Sequence, residues 1–192
     1  MTKAIFFDRD GTLLVEAGYI NHPSLVAPYS FSPAAVACAK HNGFLAIVVT
    51  NQSGVARGWL SEQEVGCIHR QMITVFAAGG APIDAVFYCP HHPDGTVPAY
   101  RASCACRKPG TELGVRAAER FAIDLAGSYV IGDKLSDVGF GEALGAKPCL
   151  VRTGFGRGEE ANLKAIGRRD VHVADNALEA VRWAVAEDTL KP

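Results

Sequence analysis

Ile5-Phe6-Phe7-Asp8-Arg9-Asp10-Gly11-Thr12 decides how this chain is read. A short apolar run is the mark of a buried strand, and this one stops abruptly at two carboxylates. Gly11 follows the second, as suits a tight turn that needs positive φ. At the C-terminal end of a strand, Asp8 and Asp10 would share one mouth, where open α/β sheets bind ligands. Two acids so close repel unless a cation or a shared proton relieves them. Taken alone, the stretch reads equally well as an ordinary Asp-Gly turn facing water.

Outward from it, strands and helices alternate. Val15 to Ser30 is loop-like. Ser32-Pro33 reads as an N-cap with proline at the first helical position, and the helix continues over Ala34 to His41 until Gly43. Phe44 to Val49 is a continuous apolar run, as in a strand covered on both faces, ending at Thr50-Asn51-Gln52-Ser53-Gly54. Ser61 and Glu64 form a capping-box pattern. Val65, Ile68, Met72, Val75 and Phe76 follow at helical spacing, a core face that Gly79-Gly80 ends. Ala85 to Cys89 is a third strand. Pro90 to Pro109 is structureless, and Thr111 opens a helix through Phe121. Then come a strand Ser128 to Ile131, a helix Ser136 to Leu144, strands Pro148 to Val151 and Val171 to Ala174, and a last helix Ala177 to Val185. The alternation predicts an α/β fold, one doubly wound parallel sheet with helices on both faces. No repeat, linker or inserted cap domain is visible, so residues 1–192 read as a single domain.

Composition narrows the classes. Hydrophobic content of 48% with 20% charged residues is that of an ordinary globular chain. A net charge of −1 offers no basic surface for nucleic acid or membrane. No apolar run approaches a membrane span or a signal peptide's core, so a cytoplasmic address is expected, and a monomer is the default expectation. Six cysteines are then thiols or metal ligands rather than disulfides.

In a parallel sheet the strand ends carrying Asp8 and Asp10, Thr50 and Asn51, and Asp133 with Asp137 lie on one edge. Carboxylates, a hydroxyl and Lys108 gathered there suit Mg²⁺ and a phosphoryl group. Asp8 is placed to attack phosphorus. Asp10 is placed to protonate the leaving oxygen and later to activate water. Lys108 and Thr50 would hold the equatorial oxygens. Asp137 would orient Lys108 or a metal-bound water.

Asp8-Arg9-Asp10-Gly11-Thr12, Val49-Thr50-Asn51, Lys108 and Gly132-Asp133-Lys134-Leu135-Ser136-Asp137 together resemble the four-motif signature of the haloacid dehalogenase superfamily. The resemblance implies a Rossmann-like sheet and an aspartyl-phosphate on Asp8. It also implies Mg²⁺ held by the Asp8 carboxylate, the Asp10 carbonyl and Asp133, with the Lys134 backbone nearby.

Cys89-Pro90-His91 and Cys104-Ala105-Cys106 supply three thiols and an imidazole, enough for a closed, structural tetrahedral zinc site. The loop between them is poor in apolar bulk, so a metal clip has something to order. His92 competes with His91 as the ligand. The alternative is a strand-end Cys89 with incidental thiols. Cys38, Cys67 and Cys149 read as small buried residues. Arg107, next to Lys108, is suited to fork onto the far phosphate of a doubly phosphorylated substrate, the alternative being a solvated charge.

With this clip, the chain is similar to the family of heptose 1,7-bisphosphate 7-phosphatases, and histidinol-phosphatase domains are close relatives. The resemblance implies a sugar bisphosphate as substrate and a place in making activated heptose for lipopolysaccharide cores or other glycans. It also implies substrate contacts from Asp8 to Asp10, Glu16, Ala17, Gly18, Tyr19, Thr50, Asn51, Gln52, Ser53, Arg107 and Lys108. Histidinol phosphate hydrolysis and a non-catalytic zinc-stabilised binding module are the alternatives. Gly54 to Trp59 offers a further wall to the site, its glycines permitting motion, but Arg57 and Trp59 read more readily as ordinary surface and packing residues.

Overall fold

A computed structural model describes residues 2–190. Six strands form one sheet: β1 (Lys3–Phe7), β2 (Phe44–Asn51), β3 (Ala85–Cys89), β4 (Tyr129–Gly132), β5 (Lys147–Val151) and β6 (His172–Ala174). Every neighbouring pair is parallel, in the order β3-β2-β1-β4-β5-β6. Among the described residues six α-helices accompany them, the first five as connections and the last after β6: α1 (Ser32–His41), α2 (Glu62–Ala78), α3 (Glu112–Phe121), α4 (Leu135–Leu144), α5 (Gly156–Ala165) and α6 (Ala177–Thr189).

The continuous apolar strands divide between two cores because side chains alternate across a sheet. Ile5, Phe7, Ala46 and Val48 pack on one face with Val36 of α1, Ile68 and Met72 of α2, and Val181 of α6. Ala4, Phe6, Ile47 and Val49 pack on the other with Leu113 of α3 and with Phe140 and Leu144 of α4. The Rossmann-like double winding follows from that division.

The strand order reverses between β1 and β4. Loops leaving neighbouring C-terminal ends part there and leave a crevice. Register puts Phe7 level with Val48 and Ile131, so Asp8 emerges between β2 and β4. The Asp8 N–H donates to the Ile131 carbonyl at 2.9 Å.

Local expectations hold in part. Ser61 accepts from the Glu64 N–H, and Glu64 reaches back to the Ser61 N–H, completing the capping box. Val75 is only half-buried, and its place on the buried face is taken by His69. Ser32 is no cap. It is the first helical residue, behind Phe31, and its hydroxyl is buried without a partner. β2 runs to Asn51 because Thr50 and Asn51 still pair with Tyr88 and Cys89. The segment 90–109 is not structureless, since Pro98–Tyr100 forms a 3-10 turn. α5 was not legible: only Gly156 and Leu163 are buried in it, too few to set a helical period. Cys149 is buried as expected, but Cys38 and Cys67 are half-exposed.

Candidate active site

β1 delivers Asp8 to the crevice, and the turn that follows brings Asp10 back over it. Gly11 makes that turn at φ +78°. A methyl group on Gly11 or on Gly154 would lie 2.1 Å from the Asp133 Oδ2. Backbone and carboxylate therefore approach each other as only glycine permits.

Lys108 enters from the 90–110 segment and is almost fully buried. Its Nζ donates to Asp8 Oδ1 at 2.8 Å and to the Val49 carbonyl at 2.6 Å, and it lies 2.6 Å from Asp137 Oδ1. Burial works against both charges, yet Asp137 and Asp8 keep Lys108 protonated, its pKa raised. Burial would likewise raise the Asp8 pKa, but the Lys108 and Lys134 cations hold the carboxyl below its usual range. Asp8 is thus an anion, as a nucleophile must be. Asn51 fixes the lysine's backbone: its Oδ1 accepts from the Lys108 N–H at 3.0 Å, and its Nδ2 donates to the Lys108 carbonyl at 3.2 Å.

Asp10 is held from the opposite side. Arg9 Nε and Nη2 fork onto its two oxygens at 3.0 and 2.8 Å. Gln52 Nε2 donates to Asp10 Oδ2 at 3.1 Å and to Thr50 Oγ1 at 2.9 Å. The Asp10, Gln52 and Thr50 side chains thereby form one network.

Carboxylate oxygens of Asp8, Asp133 and Asp137 lie within 4.8 Å of one another. Asp133 Oδ2 accepts from the Phe155 N–H at 2.9 Å, while Oδ1 is buried without a hydrogen-bond partner. Burial, followed by the Asp8 charge, pushes the Asp133 pKa up to about 8. An all-oxygen donor set with an orphaned, electrostatically strained carboxyl fits a hard divalent cation such as Mg²⁺. Asp137 is committed elsewhere, to Lys108 and, through Oδ2, to the Lys134 N–H at 3.0 Å.

The titration has a consequence. A carboxyl whose pKa is 3.8 unfolded and about 8 folded disfavours the native state increasingly as pH rises between those values. A cation removes that penalty only where Asp133 is ionised. Mg²⁺ should therefore raise the melting temperature by several degrees more at pH 8 than at pH 5, by roughly 5 °C in differential scanning fluorimetry. An equal or larger shift at pH 5 would take Asp133 out of the metal site.

Beside the inner chamber of about 30 Å³ bounded by Asp8, Thr50, Lys108 and Asp137 lies an outer cavity of about 370 Å³. That volume suits one small metabolite. Glu16, Gly18, Tyr19, Asn51, Gln52, Ser53 and Arg107 all line it. Ala17 does not; it is exposed on the same loop. Glu16 accepts from the Gly18 N–H at 2.7 Å and lies 3.8 Å from Lys134 Nζ. Tyr19 packs edge-on against Trp59, ring centres 4.2 Å apart. Arg57, expected to be a surface residue, also lines the cavity, with Nη2 3.5 Å from His92 Nε2. Arg57 and Arg107 have no carboxylate partner among the described residues, unlike Arg9 with Asp10. Sequence reasoning missed the cavity roles of Arg57, His92, Ser136 and Phe155. Arg57 read more readily as a surface residue, His92 as a rival zinc ligand and Ser136 as a helix start, while Phe155 carried no reading; only the fold turns them inward.

The Cys/His cluster forms as expected. Its three sulfurs are 3.2–3.5 Å apart, too far for disulfides, and His91 Nδ1 lies 3.4 Å from Cys106 Sγ and 3.7 Å from Cys89 Sγ. Three thiols and one imidazole converging this closely fit tetrahedral zinc. His92 is not in the set, since its Nδ1 accepts from the Asp94 N–H at 3.1 Å. The loop has other ties as well. Tyr100 donates to Glu62 on α2 at 2.8 Å, beside the 2.6 Å bond from Tyr88 of β3, and the Val97 N–H donates to the Ala56 carbonyl at 2.9 Å.

Residues 105–180 match the family described as HAD-hydrolase-like. Two curated D-glycero-beta-D-manno-heptose-1,7-bisphosphate 7-phosphatases, from Yersinia pestis and Escherichia coli K12, are each 40% identical over 156 residues. These residues cover 79% of this chain and 81% and 80% of theirs. The crystal structure of D,D-heptose 1,7-bisphosphate phosphatase from B. bronchiseptica, complexed with magnesium and phosphate, aligns with a TM-score of 0.84 at 32% identity. It covers 96% of this chain and 99% of that one. The corresponding enzyme from Burkholderia thailandensis aligns at 0.69 and 31%, over 99% of each chain. The parallel sheet with helices on both faces is the fold of a haloacid dehalogenase-like hydrolase. Within that class, the chain belongs to the family of heptose 1,7-bisphosphate 7-phosphatases.

Proposed function

We propose that this protein is a phosphatase that removes the 7-phosphate of D-glycero-D-manno-heptose 1,7-bisphosphate through an aspartyl-phosphate on Asp8. The supporting observation is the Lys108–Asp8–Asp137 bridge beside a cavity with two arginines that have no carboxylate partner among the described residues. The first marks where a phosphoryl group reacts, and the second is suited to a phosphate that stays on.

An Asp8 oxygen attacks phosphorus, and the bond to the C7 oxygen breaks. Asp10 gives its proton to that oxygen as it leaves. Asp10, now a base, takes a proton from water, whose oxygen attacks the aspartyl-phosphate and releases inorganic phosphate and Asp8. Lys108 and Thr50 bear on the equatorial oxygens throughout. Asp8, Asp133 and the Asp10 carbonyl, with the Lys134 backbone nearby in sequence, would hold Mg²⁺, which would supply positive charge against the phosphoryl group. Cys89, His91, Cys104 and Cys106 would hold a structural zinc, which would fix the segment that carries Arg107 and Lys108. Arg107 and Arg57 hold the 1-phosphate; Glu16, Gly18, Tyr19, Gln52 and Ser53 face the sugar, with Ala17 shaping that loop. The chain acts as one domain and as a cytoplasmic monomer, supplying heptose for lipopolysaccharide or other glycans. No helix among the described residues is long and apolar enough to cross a membrane.

Phosphate release with Mg²⁺ should be compared across both heptose 1,7-bisphosphate anomers, fructose 1,6-bisphosphate and histidinol phosphate. One heptose anomer should exceed the other two compounds in kcat/KM by at least about 100-fold, the scale that a buried charge contact supplies. Histidinol phosphate turning over fastest would replace this substrate assignment.

A further inference from the structure

Arg9 lies between the two catalytic aspartates and is the largest fully buried side chain, 1% exposed. A guanidinium cannot lose its proton, so every donor it buries needs an acceptor. Four hydrogen bonds engage four of its five N–H groups. Two go to Asp10 and one to Gln52 Oε1 at 2.9 Å. The fourth runs from Nη1 to the ring of His69 at 3.2 Å. His69 stands on α2, buried, edge-on to Tyr88 at 5.3 Å.

Arginine only donates, so His69 Nε2 accepts, and the imidazole proton resides on Nδ1. Burial, and then the adjacent Arg9 charge, push the His69 pKa down to about 3, which keeps that lone pair available throughout the working range. The acceptor comes from α2, an element with no part in the chemistry. It fixes the third corner of a planar fork whose other two corners fix the proton donor.

We propose that His69 is a positioning residue: by accepting from Arg9 Nη1 it holds the guanidinium in the plane that aims the Asp10 carboxyl at the leaving oxygen. This rests on the phosphatase reading above. Without the acceptor, Nη1 loses the one hydrogen bond it makes among the described residues, and the guanidinium turns toward another partner, taking Asp10 with it. The damage falls on proton donation. An alkoxide leaving from C7 needs the proton, whereas p-nitrophenolate departs without it.

The test is kcat for the heptose bisphosphate and for p-nitrophenyl phosphate in wild type, His69→Leu and His69→Gln. Glutamine keeps an acceptor near the Nε2 position. His69→Leu should lose on the order of 30-fold on the sugar phosphate and about threefold on the aryl ester. His69→Gln should stay within about threefold of wild type on both. The ratio of the two rates does not depend on how much protein is folded. Should the leucine variant not fold at all, His69→Met serves in its place. Equal losses on the two substrates, no loss on either, or failure of glutamine to restore the ratio overturns the role of His69. A wild type inactive on both substrates would instead overturn the phosphatase reading itself.

Discussion

Asp8→Asn should lower kcat for heptose bisphosphate by at least about 10⁴-fold, the usual scale for losing a covalent nucleophile. Stability should barely change. Asparagine fills the same volume, and Lys108 keeps Asp137 at 2.6 Å and the Val49 carbonyl at 2.6 Å. The charge balance even improves, because Asp133 loses the negative neighbour that helps burial to raise its pKa. A melting temperature within about 3 °C of wild type is expected. Residual turnover above about 1% of wild type, in protein free of deamidated Asp8, would exclude Asp8 as the attacking group.

The second large effect concerns the clip. Cys106→Ala leaves three ligands and opens the site beside Arg107 and Lys108. Zinc content should fall from one per chain to near zero. The melting temperature should drop by roughly 10 °C, as for loss of about 3–5 kcal/mol in a chain of this size. The rate should fall at least about tenfold, because Lys108 reaches Asp8 from a segment that has lost its anchor. The Tyr100–Glu62 and Val97–Ala56 bonds retain part of the loop, so proteolysis should begin between residues 101 and 106 rather than near 97. A zinc-free protein with the full rate would confine the clip to stability alone.

What the sequence showed depended on where apolar runs stop. Asp8, Thr50 and Asp133 each follow such a run, so a parallel sheet was enough to bring them together. The clip was legible because its four ligands fall in two tight pairs. His69 was hidden for the opposite reason. It sits among the apolar residues of α2, where a neutral buried imidazole leaves the helical pattern intact. Arg9 was read as part of the motif and of the substrate contacts from Asp8 to Asp10, and nothing in the pattern reveals that a charged residue there is buried. Arg57 was misjudged because its loop could fold over the mouth or away from it. The Val97–Ala56 bond, made by a segment 40 residues later, draws it over. α5 carries too little apolar surface to announce itself.

The closeness of Gly11 and Gly154 to Asp133 has a bearing on engineering. A common route to a hardier protein exchanges flexible glycines for alanine. At these two positions the added carbon would strike the carboxylate, so a library screened for heat resistance alone would harm turnover there. Gly158 in α5 has open space around it and lies in a helix, where the exchange yields about 0.5–1 kcal/mol. Durability can be raised at the rim of this molecule without disturbing its working centre.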